Sequence, residues 1–269
     1  MPLPVRRARP AMPEPIVLAT DLDGTFLGGS DADRAALYAW LCAQRDAVVL
    51  VFVSGRGQEF MRALADTLPV RPDHCIGDVG TSVHSGAQLR PLRPVEDWIQ
   101  SCWPEDAAAR IDAEMQRHPQ LRAQPQVGGR RRSYLFDDAR DVEPAAARLQ
   151  AMGFDTLRSD NLYFDVLPRG VQKGPTLLRT LDALGLPRAR TLVAGDTLND
   201  LSMFETGLAG VAVGNREPEL DRALAACPHV LRSPLAGAAG VLDALVRFQQ
   251  LQGDLHGFVA GHRLPPPTV

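Results

Sequence analysis

Two aspartates lie one residue apart directly after the first apolar run of the chain, because Asp21 and Asp23 follow Ile16–Thr20. An apolar, β-prone run that ends in carboxylates is typical of a buried strand that delivers acids to the C-terminal edge of a parallel sheet. Side chains alternate along a strand, so the two acids can share one site only if the strand stops there and the loop folds Asp23 back. Gly24 permits such a turn. A solvated turn is the alternative interpretation of these residues alone.

A second apolar run, Val48–Val53, is continuous and rich in β-branched residues, as is typical of a strand that is buried on both faces. It leads into Ser54, Gly55 and Arg56. A hydroxyl group and free backbone N–H groups at the end of a strand can hold phosphate oxygens. The alternative is a plain strand-to-helix turn in which Ser54 caps the helix.

A further acidic strand end comes late in the chain. The run Thr191–Gly195 leads into Asp196, and Asp200 follows four residues later. This spacing places Asp196 at the tip of a strand and Asp200 in the first helical turn, both facing Asp21. Because Mg²⁺ prefers hard oxygen ligands and keeps several waters, one or two carboxylates and a carbonyl oxygen suffice to hold it. The pattern suits a magnesium site, with helix capping as the alternative role of Asp200.

Lys173 is the only lysine among the 29 basic residues of the chain. Gly174 and Pro175 after it favour the start of a helix. An ammonium group is a compact, mobile point charge, whereas a guanidinium is a wide planar fork that does not fit between a carboxylate and a phosphoryl group. Such a group can hold a carboxylate ionised and offset phosphate charge, with a surface lysine at a helix start as the alternative.

Taken in order, these four segments resemble the four motifs of the haloacid dehalogenase-like (HAD) phosphohydrolases. The resemblance implies that Asp21 is the nucleophile and Asp23 the general acid and base. The phosphate-binding residues that it implies are Thr25, Ser54, Gly55, Lys173 and Asn199. The Mg²⁺ ligands that it implies are Asp21, the backbone carbonyl of Asp23, and Asp196, with Asp200 either as a ligand or as an anchor behind the ion.

The chemistry implied by this resemblance is phosphoryl transfer through an aspartyl-phosphate on Asp21. Asp23 would protonate the leaving sugar oxygen and later take a proton from the attacking water, so it must hold a proton when the substrate arrives. Dehalogenase members of the family lack this second acid, and the related ion pumps carry threonine there. Asp23 therefore favours a phosphatase or a phosphomutase.

The same resemblance implies an α/β fold with a Rossmann-like parallel sheet core, helices on both faces, and an inserted α/β cap. The excess length lies between the second and third motifs, which predicts a core of residues 15–83 and 170–263 and a cap of residues 84–169. Residues 1–14 are rich in proline and arginine and are predicted to be a disordered arm and not a secretory signal, with Met1 or Met12 as the translation start. Residues 264–269 are predicted to be a loose tail.

Inside the cap, local patterns predict two helices and four strands, which make a small layered domain. The predicted helices are Glu105–Arg117 and Glu143–Met152. The predicted strands flank a turn at Gly128 and Gly129 and a second turn at residues 159–161.

Three stretches of the cap resemble the sucrose-phosphatase group, in which polar cap residues hold the sugar. The predicted substrate-binding residues in these stretches are Gln124, Arg132 and Asp165. The arginines at 130–132 are alternatively a solvated turn, although a guanidinium that bonds a sugar hydroxyl is ordinary recognition.

Composition limits the partners. The chain has no apolar stretch that approaches 18 residues, which excludes a membrane-spanning helix and with it the ion pumps. A net charge of −3 and a pI near 6.1 give no basis for binding nucleic acid. The four cysteines have no paired spacing, which suits a reducing cytosol, so we expect a cytoplasmic enzyme. The oligomeric state stays open.

The sequence therefore predicts a magnesium-dependent phosphatase that acts on a small phosphorylated sugar. Large caps of this kind occur in the Cof-type, sucrose-phosphatase-like and phosphomannomutase-like branches. A phosphomutase of the phosphomannomutase type and a catalytically silent sugar-phosphate binder are the alternatives. Sucrose 6-phosphate, other disaccharide phosphates, hexose phosphates and glycosyl-glycerol or glycosyl-glycerate phosphates all fit the motifs.

Overall fold

The computed structural model of the chain describes residues 14–125 and 129–253. The predicted tail, residues 1–13 of the predicted arm, the predicted core beyond residue 253, and Gly128 of the predicted cap turn lie outside the described residues.

The strands of the described residues are β1 (Ile16–Thr20), β2 (Val48–Val53), β3 (His74–Gly77), β4 (Ser82–Ser85), β5 (Arg90–Pro91), β6 (Arg122–Ala123), β7 (Arg132–Leu135), β8 (Phe154–Ser159), β9 (Tyr163–Pro168), β10 (Thr191–Gly195), β11 (Ala209–Ala212) and β12 (Val230–Arg232). The α-helices are α1 (Asp31–Ala43), α2 (Gln58–Thr67), α3 (Arg93–Ser101), α4 (Ala107–Met115), α5 (Val142–Ala151), α6 (Lys173–Leu184), α7 (Leu201–Phe204), α8 (Pro218–Ala223) and α9 (Gly237–Leu251).

The main sheet has eight strands in the order β12-β11-β10-β1-β2-β3-β4-β5. The strands from β12 to β3 run parallel to one another, and β4 and β5 are antiparallel additions at one edge. The order reverses at β1, which pairs with β2 on one side and with β10 on the other. A crevice at the C-terminal ends of the strands is expected at such a reversal, and it lies where β1 delivers Asp21.

Helices cover both faces of this sheet, which explains why its central strands are apolar without interruption. Alternation along β1 sends Ile16 and Leu18 into the layer that contains α1 and α9. It sends Val17 and Ala19 into the opposite layer, which contains α6. The predicted fold class is confirmed, because a sheet with a parallel centre lies between two helical layers and a second α/β unit is inserted in the chain between α3 and α6.

The inserted unit, called the cap here, is a four-stranded antiparallel sheet in the order β6-β7-β9-β8. Helices α4 and α5 pack on one face of it, around Phe164 and Val166. The two predicted cap helices are present, each within about two residues of the predicted ends. The predicted turn between β8 and β9 is also present, with positive φ angles of 54° at Asp160 and 47° at Asn161.

The residues just before the cap continue the main sheet. The boundary predicted at residue 84 lies inside β4, and the main sheet runs on to Pro91. In α3, Val95 and Ile99 pack in the same apolar layer as α6. Sequence analysis did not find β5 or α3, since a strand of two residues carries no periodicity. The division of the chain into core and cap by residue number stays a prediction.

Candidate active site

The chain reverses sharply where β1 ends. Residues Leu22–Phe26 form a tight turn in which the N–H of Phe26 donates to the carbonyl of Asp21 at 3.2 Å. Gly24 lies in the left-handed region with a φ of 78°, and the reversal brings Asp21 and Asp23 to the same cleft. The fold-back that was expected from the alternation of the strand is therefore present.

Gly24 also permits a close approach between two loops. A Cβ atom at Gly24 would lie 2.1 Å from Oδ2 of Asp196, which is far inside van der Waals contact. Gly86 has a similar φ of 76° but has nothing within 4 Å of such an atom. A side chain at either position would strain the backbone, but only a side chain at Gly24 would also clash with a neighbouring residue.

We expect Gly24→Ala to lower stability more than Gly86→Ala. Both substitutions place a side chain in the left-handed region, which costs about 1–2 kcal/mol. Only Gly24→Ala also pushes Asp196 away, so only it should abolish phosphate release. Thermal unfolding and a phosphate assay of both variants measure the difference, and equal losses in the two variants would contradict the close approach.

Lys173 lies at the centre of the site with its side chain fully buried. Its Nζ donates to Oδ1 of Asp21 and to Oδ1 of Asp200, both at 2.7 Å, and also to the side-chain oxygen of Asn199. All three protons of the ammonium group are therefore used. Burial lowers the pKa of Lys173, but the charges of Asp200 and Asp21 outweigh burial and raise it, so the group is charged.

Asp200 braces the loop that it belongs to. Its Oδ2 accepts the N–H groups of Asp196 at 2.9 Å and of Thr197 at 3.1 Å, while its Oδ1 accepts from Lys173. The side chain is fully buried. Asp200 already bonds the ammonium of Lys173 and does not line the cleft, whereas Asp196 does, which favours the anchoring role of Asp200 over direct ligation.

Three carboxylates gather without an equal number of cations. Ligand oxygens of Asp21, Asp196 and Asp200 lie within 4.8 Å of one another. Burial raises the pKa of Asp21 to about 7 against the opposing charge of Lys173. Burial, with the charges of Asp200 and Asp21, raises the pKa of Asp196 to about 8. Hard oxygens with unbalanced negative charge are a donor set that fits Mg²⁺.

The residues predicted to bind phosphate have different surroundings. Gly55 and Asn199 line the cleft. Ser54 is buried at the end of β2, where its Oγ accepts the N–H of Arg56 at 3.1 Å. The hydroxyl of Thr25 does not line the cleft: Thr25 is fully buried and donates to Oδ1 of Asp196 at 2.6 Å. Thr25 therefore orients a carboxylate and offers no hydroxyl to a phosphate.

Asp23 is paired with an arginine that sequence analysis left without a role. Nε of Arg56 lies 2.8 Å from Oδ2 of Asp23, Nη2 lies 3.2 Å from Oδ1, and both side chains are about half exposed. The guanidinium also lies over the ring of Phe60, 4.8 Å from its centroid. The predicted acid role needs a proton on this carboxylate, both oxygens of which contact the guanidinium. The only feature of the sequence that could have indicated a role for Arg56 is its position directly after the second motif, Ser54 and Gly55.

The cap closes one side of the cleft, which has a volume of about 520 Å³. Two of the three predicted substrate residues, Gln124 and Asp165, line it. Arg132 does not, and this prediction is corrected: its Nε lies 3.3 Å from Asp112 of α4, on the helical face of the cap sheet. Side chains alternate along β7, so Ser133 faces the cleft, and Arg131, just before the strand, lines it as well.

Two further residues were missed because they lie outside the four motifs. Nδ2 of Asn215 donates to the carbonyl of Gly24 at 3.0 Å and to Oδ2 of Asp196 at 3.3 Å. Its Oδ1 accepts the N–H of Gly237, at the start of α9, at 2.8 Å. Asn215 thus joins the first acidic loop to the second. Asp160, in the cap turn, also lines the cleft.

Three features define the class of this protein. They are a parallel sheet with an inserted cap, a buried carboxylate and lysine pair where the strand order reverses, and a polar cleft between them. Together they are those of a phosphatase of the HAD-like class. The family model described as sucrose-6F-phosphate phosphohydrolase matches residues 14–249. The chain belongs to this family of phosphoric monoester hydrolases.

Two curated relatives are similar to the chain over most of its length. Mannosylfructose-phosphate phosphatase of Agrobacterium fabrum is 33% identical over 235 residues, which cover 85% of this chain and 95% of the relative. Glucosylglycerol-phosphate synthase of Pseudomonas anguilliseptica is 39% identical over 240 residues, or 87% of this chain. The chain spans only 31% of the length of that synthase.

Among solved structures, the sucrose-phosphatase of Synechocystis, determined in complex with sucrose and phosphate, has a TM-score of 0.80. It is 23% identical, and the match covers 88% of this chain and 98% of that one. This likeness shows that the two chains share a fold.

Within the described part of the chain, no helix is both long and apolar enough to cross a membrane.

Proposed function

We propose that this protein hydrolyses the phosphate monoester of a glycosylated polyol or disaccharide in the presence of Mg²⁺. One observation carries the proposal: a nucleophile candidate, Asp21, is held by a fully buried lysine at 2.7 Å, at the floor of a polar cleft that a cap covers. The names of the phosphatases among the relatives support the same substrate class.

In the proposed mechanism, Oδ2 of Asp21 attacks phosphorus in line, since Oδ1 is held by Lys173. The ammonium of Lys173 and the backbone N–H groups at Gly55 offset charge on the phosphoryl oxygens. Bound Mg²⁺ would neutralise further charge, with Asp21, Asp196 and the backbone carbonyl of Asp23 as its ligands. Water then hydrolyses the aspartyl-phosphate.

Asp23 is the proposed proton donor to the leaving oxygen and the acceptor from the attacking water. Its carboxylate is occupied by the guanidinium of Arg56, 2.8 Å away. We therefore infer that the bound substrate separates the two side chains before the proton is transferred. Both side chains line the cleft, so the leaving group can reach them.

The charges of the cleft favour a neutral leaving group. Asp21 and Asp196 face Lys173 and the proposed Mg²⁺ site. The lining acids that remain for the leaving group are Asp23, Asp160 and Asp165, against the basic residues Arg56 and Arg131. A leaving group with its own carboxylate or a second phosphate would add repulsion to this excess of acids. The proposal therefore favours glycosyl-glycerol and disaccharide phosphates over glycosyl-glycerate phosphates, and hydrolysis over mutase chemistry that passes through a sugar bisphosphate.

A substrate panel tests the proposal. Phosphate release with Mg²⁺ is measured for sucrose 6-phosphate, mannosylfructose phosphate, glucosylglycerol phosphate, hexose phosphates and a glycosyl-glycerate phosphate, with and without a hexose bisphosphate activator. We expect release from the neutral glycosides without activator. Isomerised sugar phosphate in place of inorganic phosphate would support a phosphomutase, and binding without turnover a silent binder.

Mg²⁺ is expected to stabilise the protein against heat, because it would balance the buried acids. An ion present at 100 times its dissociation constant adds about 2.7 kcal/mol to the free energy of unfolding. The measurement is the melting temperature with Mg²⁺ and with a chelator. Asp196→Asn should lose this difference, whereas Asp66→Asn, at an exposed pair with Arg71, should keep it. A shift of the same size in Asp196→Asn would place the ion elsewhere.

A further inference from the structure

A carboxylate of the core contacts the cap turn beside the loop of residues 196–200. Glu217 lies between β11 and α8, and its Oε2 accepts the N–H of Leu198 at 2.7 Å. Its Oε1 accepts the N–H of Asp160, in the cap turn, at 2.8 Å. Its own N–H donates to the carbonyl of Asp196 at 2.8 Å. A single side chain therefore joins the cap turn to the loop that carries Asp196.

The cap turn is shaped to make this contact. Asp160 and Asn161 are both left-handed, a conformation that non-glycine residues adopt at a cost of about 1–3 kcal/mol when their surroundings fix it. The same turn presents Ser159, Asp160 and Tyr163 to the cleft. Fixing Asp160 therefore also fixes the cap side of the substrate cleft.

On the basis of the phosphatase function proposed above, we propose that Glu217 is a positioning residue. Its carboxylate joins the Asp160 turn of the cap to the Asp196 loop of the core. The cap therefore encloses the sugar when the Asp196 loop is in place. Glu217 does not touch the reacting atoms in this scheme. It acts through the backbone of Asp160 and of Leu198.

The contact requires an acceptor with two free oxygens. Glutamate uses one oxygen for each domain, whereas the amide of glutamine keeps one oxygen and turns an NH₂ group toward an N–H donor. Glu217→Gln should therefore lose one of the two bonds with little change in size, and Glu217→Ala should lose both. Glu219→Ala is the matched control, because Glu219 lies in α8, two residues from Glu217, and its carboxylate pairs with Arg222 in the same helix.

Hydrogen exchange tests the contact without any assay of activity. In Glu217→Ala, the amides of Asp160 and Leu198 should exchange at least about tenfold faster, as expected when a hydrogen bond to a charged acceptor is lost. In Glu219→Ala both rates should stay at the wild-type value. Unchanged exchange at Asp160 in Glu217→Ala would overturn the proposal.

Kinetics test the positioning role with two substrates of different size. For the glycoside phosphate that the wild-type enzyme hydrolyses fastest, Glu217→Gln should raise KM by about tenfold, the effect of one hydrogen bond to a charged group. For p-nitrophenyl phosphate, which needs no sugar contact with the cap, KM should change less than about twofold, whereas any displacement of the Leu198 loop lowers kcat for both esters alike. An equal rise of KM with both esters would overturn the proposal, since it indicates that Glu217 supports the Leu198 loop alone. If the wild-type enzyme hydrolyses neither ester, the phosphatase function fails, and the exchange experiment still decides the contact.

Discussion

An Asp21→Asn variant is expected to release phosphate at least about 10³-fold more slowly than the wild-type enzyme, because an amide oxygen is a poor nucleophile toward phosphorus. Asparagine keeps the size of the side chain and an acceptor for Lys173, which lies 2.7 Å away. The loss would therefore report chemistry and not packing. Turnover of the preferred glycoside phosphate, with Mg²⁺ in excess, is the measurement.

A stable mimic of the phosphoryl group gives an independent check of Asp21. Beryllofluoride with Mg²⁺ should form an adduct on the carboxylate of Asp21 in the wild-type protein and none in Asp21→Asn. The measurement is the electron density at residue 21 in crystals soaked with beryllofluoride and Mg²⁺. Asp66→Asn, an exposed acid that pairs with Arg71, controls for the loss of one negative charge. An adduct on another side chain, or more than a tenth of wild-type turnover in Asp21→Asn, would contradict the assignment of Asp21 as the nucleophile.

A Lys173→Arg variant is expected to lose nearly all turnover although it keeps the positive charge. The ammonium is fully buried and bonds Asp21, Asp200 and Asn199 from one atom. A guanidinium spreads its donors over a wide plane and cannot satisfy three acceptors that converge on a point. Retention of more than a tenth of the wild-type rate would contradict this point-charge argument.

Folding must be controlled in this experiment, because the lysine is buried. Arg179→Lys is the matched exchange on the same helix: Arg179 is exposed and lies 4.1 Å from the ring centroid of Trp98, so its loss should leave turnover intact. Lys173→Met, which keeps the length and removes the charge, is a second variant. Circular dichroism and thermal unfolding establish the folded fraction of each variant at the assay temperature.

The strand ends of the site could be predicted because each signal is local. An apolar run that stops at an acid or a hydroxyl marks the C-terminal end of a parallel strand, and Asp21, Ser54 and Asp196 all follow such runs. Parallel strands end at one edge, so these side chains had to gather there. The single lysine was equally local evidence, and the structure places Lys173 between Asp21 and Asp200.

The helices and strands of the cap could be predicted from the sequence, but not which face of the cap sheet meets the core. Alternation fixes that Arg132 and Ser133 lie on opposite sides of β7, yet it does not say which side meets the core. The packing of α4 on one face of the cap sheet decided this, and Ser133 was left facing the cleft. The short elements β5 and α3 escaped prediction for a related reason, since their place depends on the sheet and helix that they join.

The sequence by itself determined which chemical groups arrive at the edge of the sheet, because the end of a strand is encoded within a few residues. Only the tertiary structure decided the partner of each group: Thr25 with Asp196, Arg56 with Asp23, and Glu217 with the cap turn. These partners are 171, 33 and 57 residues apart in the chain. A hydrogen bond forms or fails over a few tenths of an ångström, and that precision comes from the packing of the whole sheet and its cap, which no local pattern specifies.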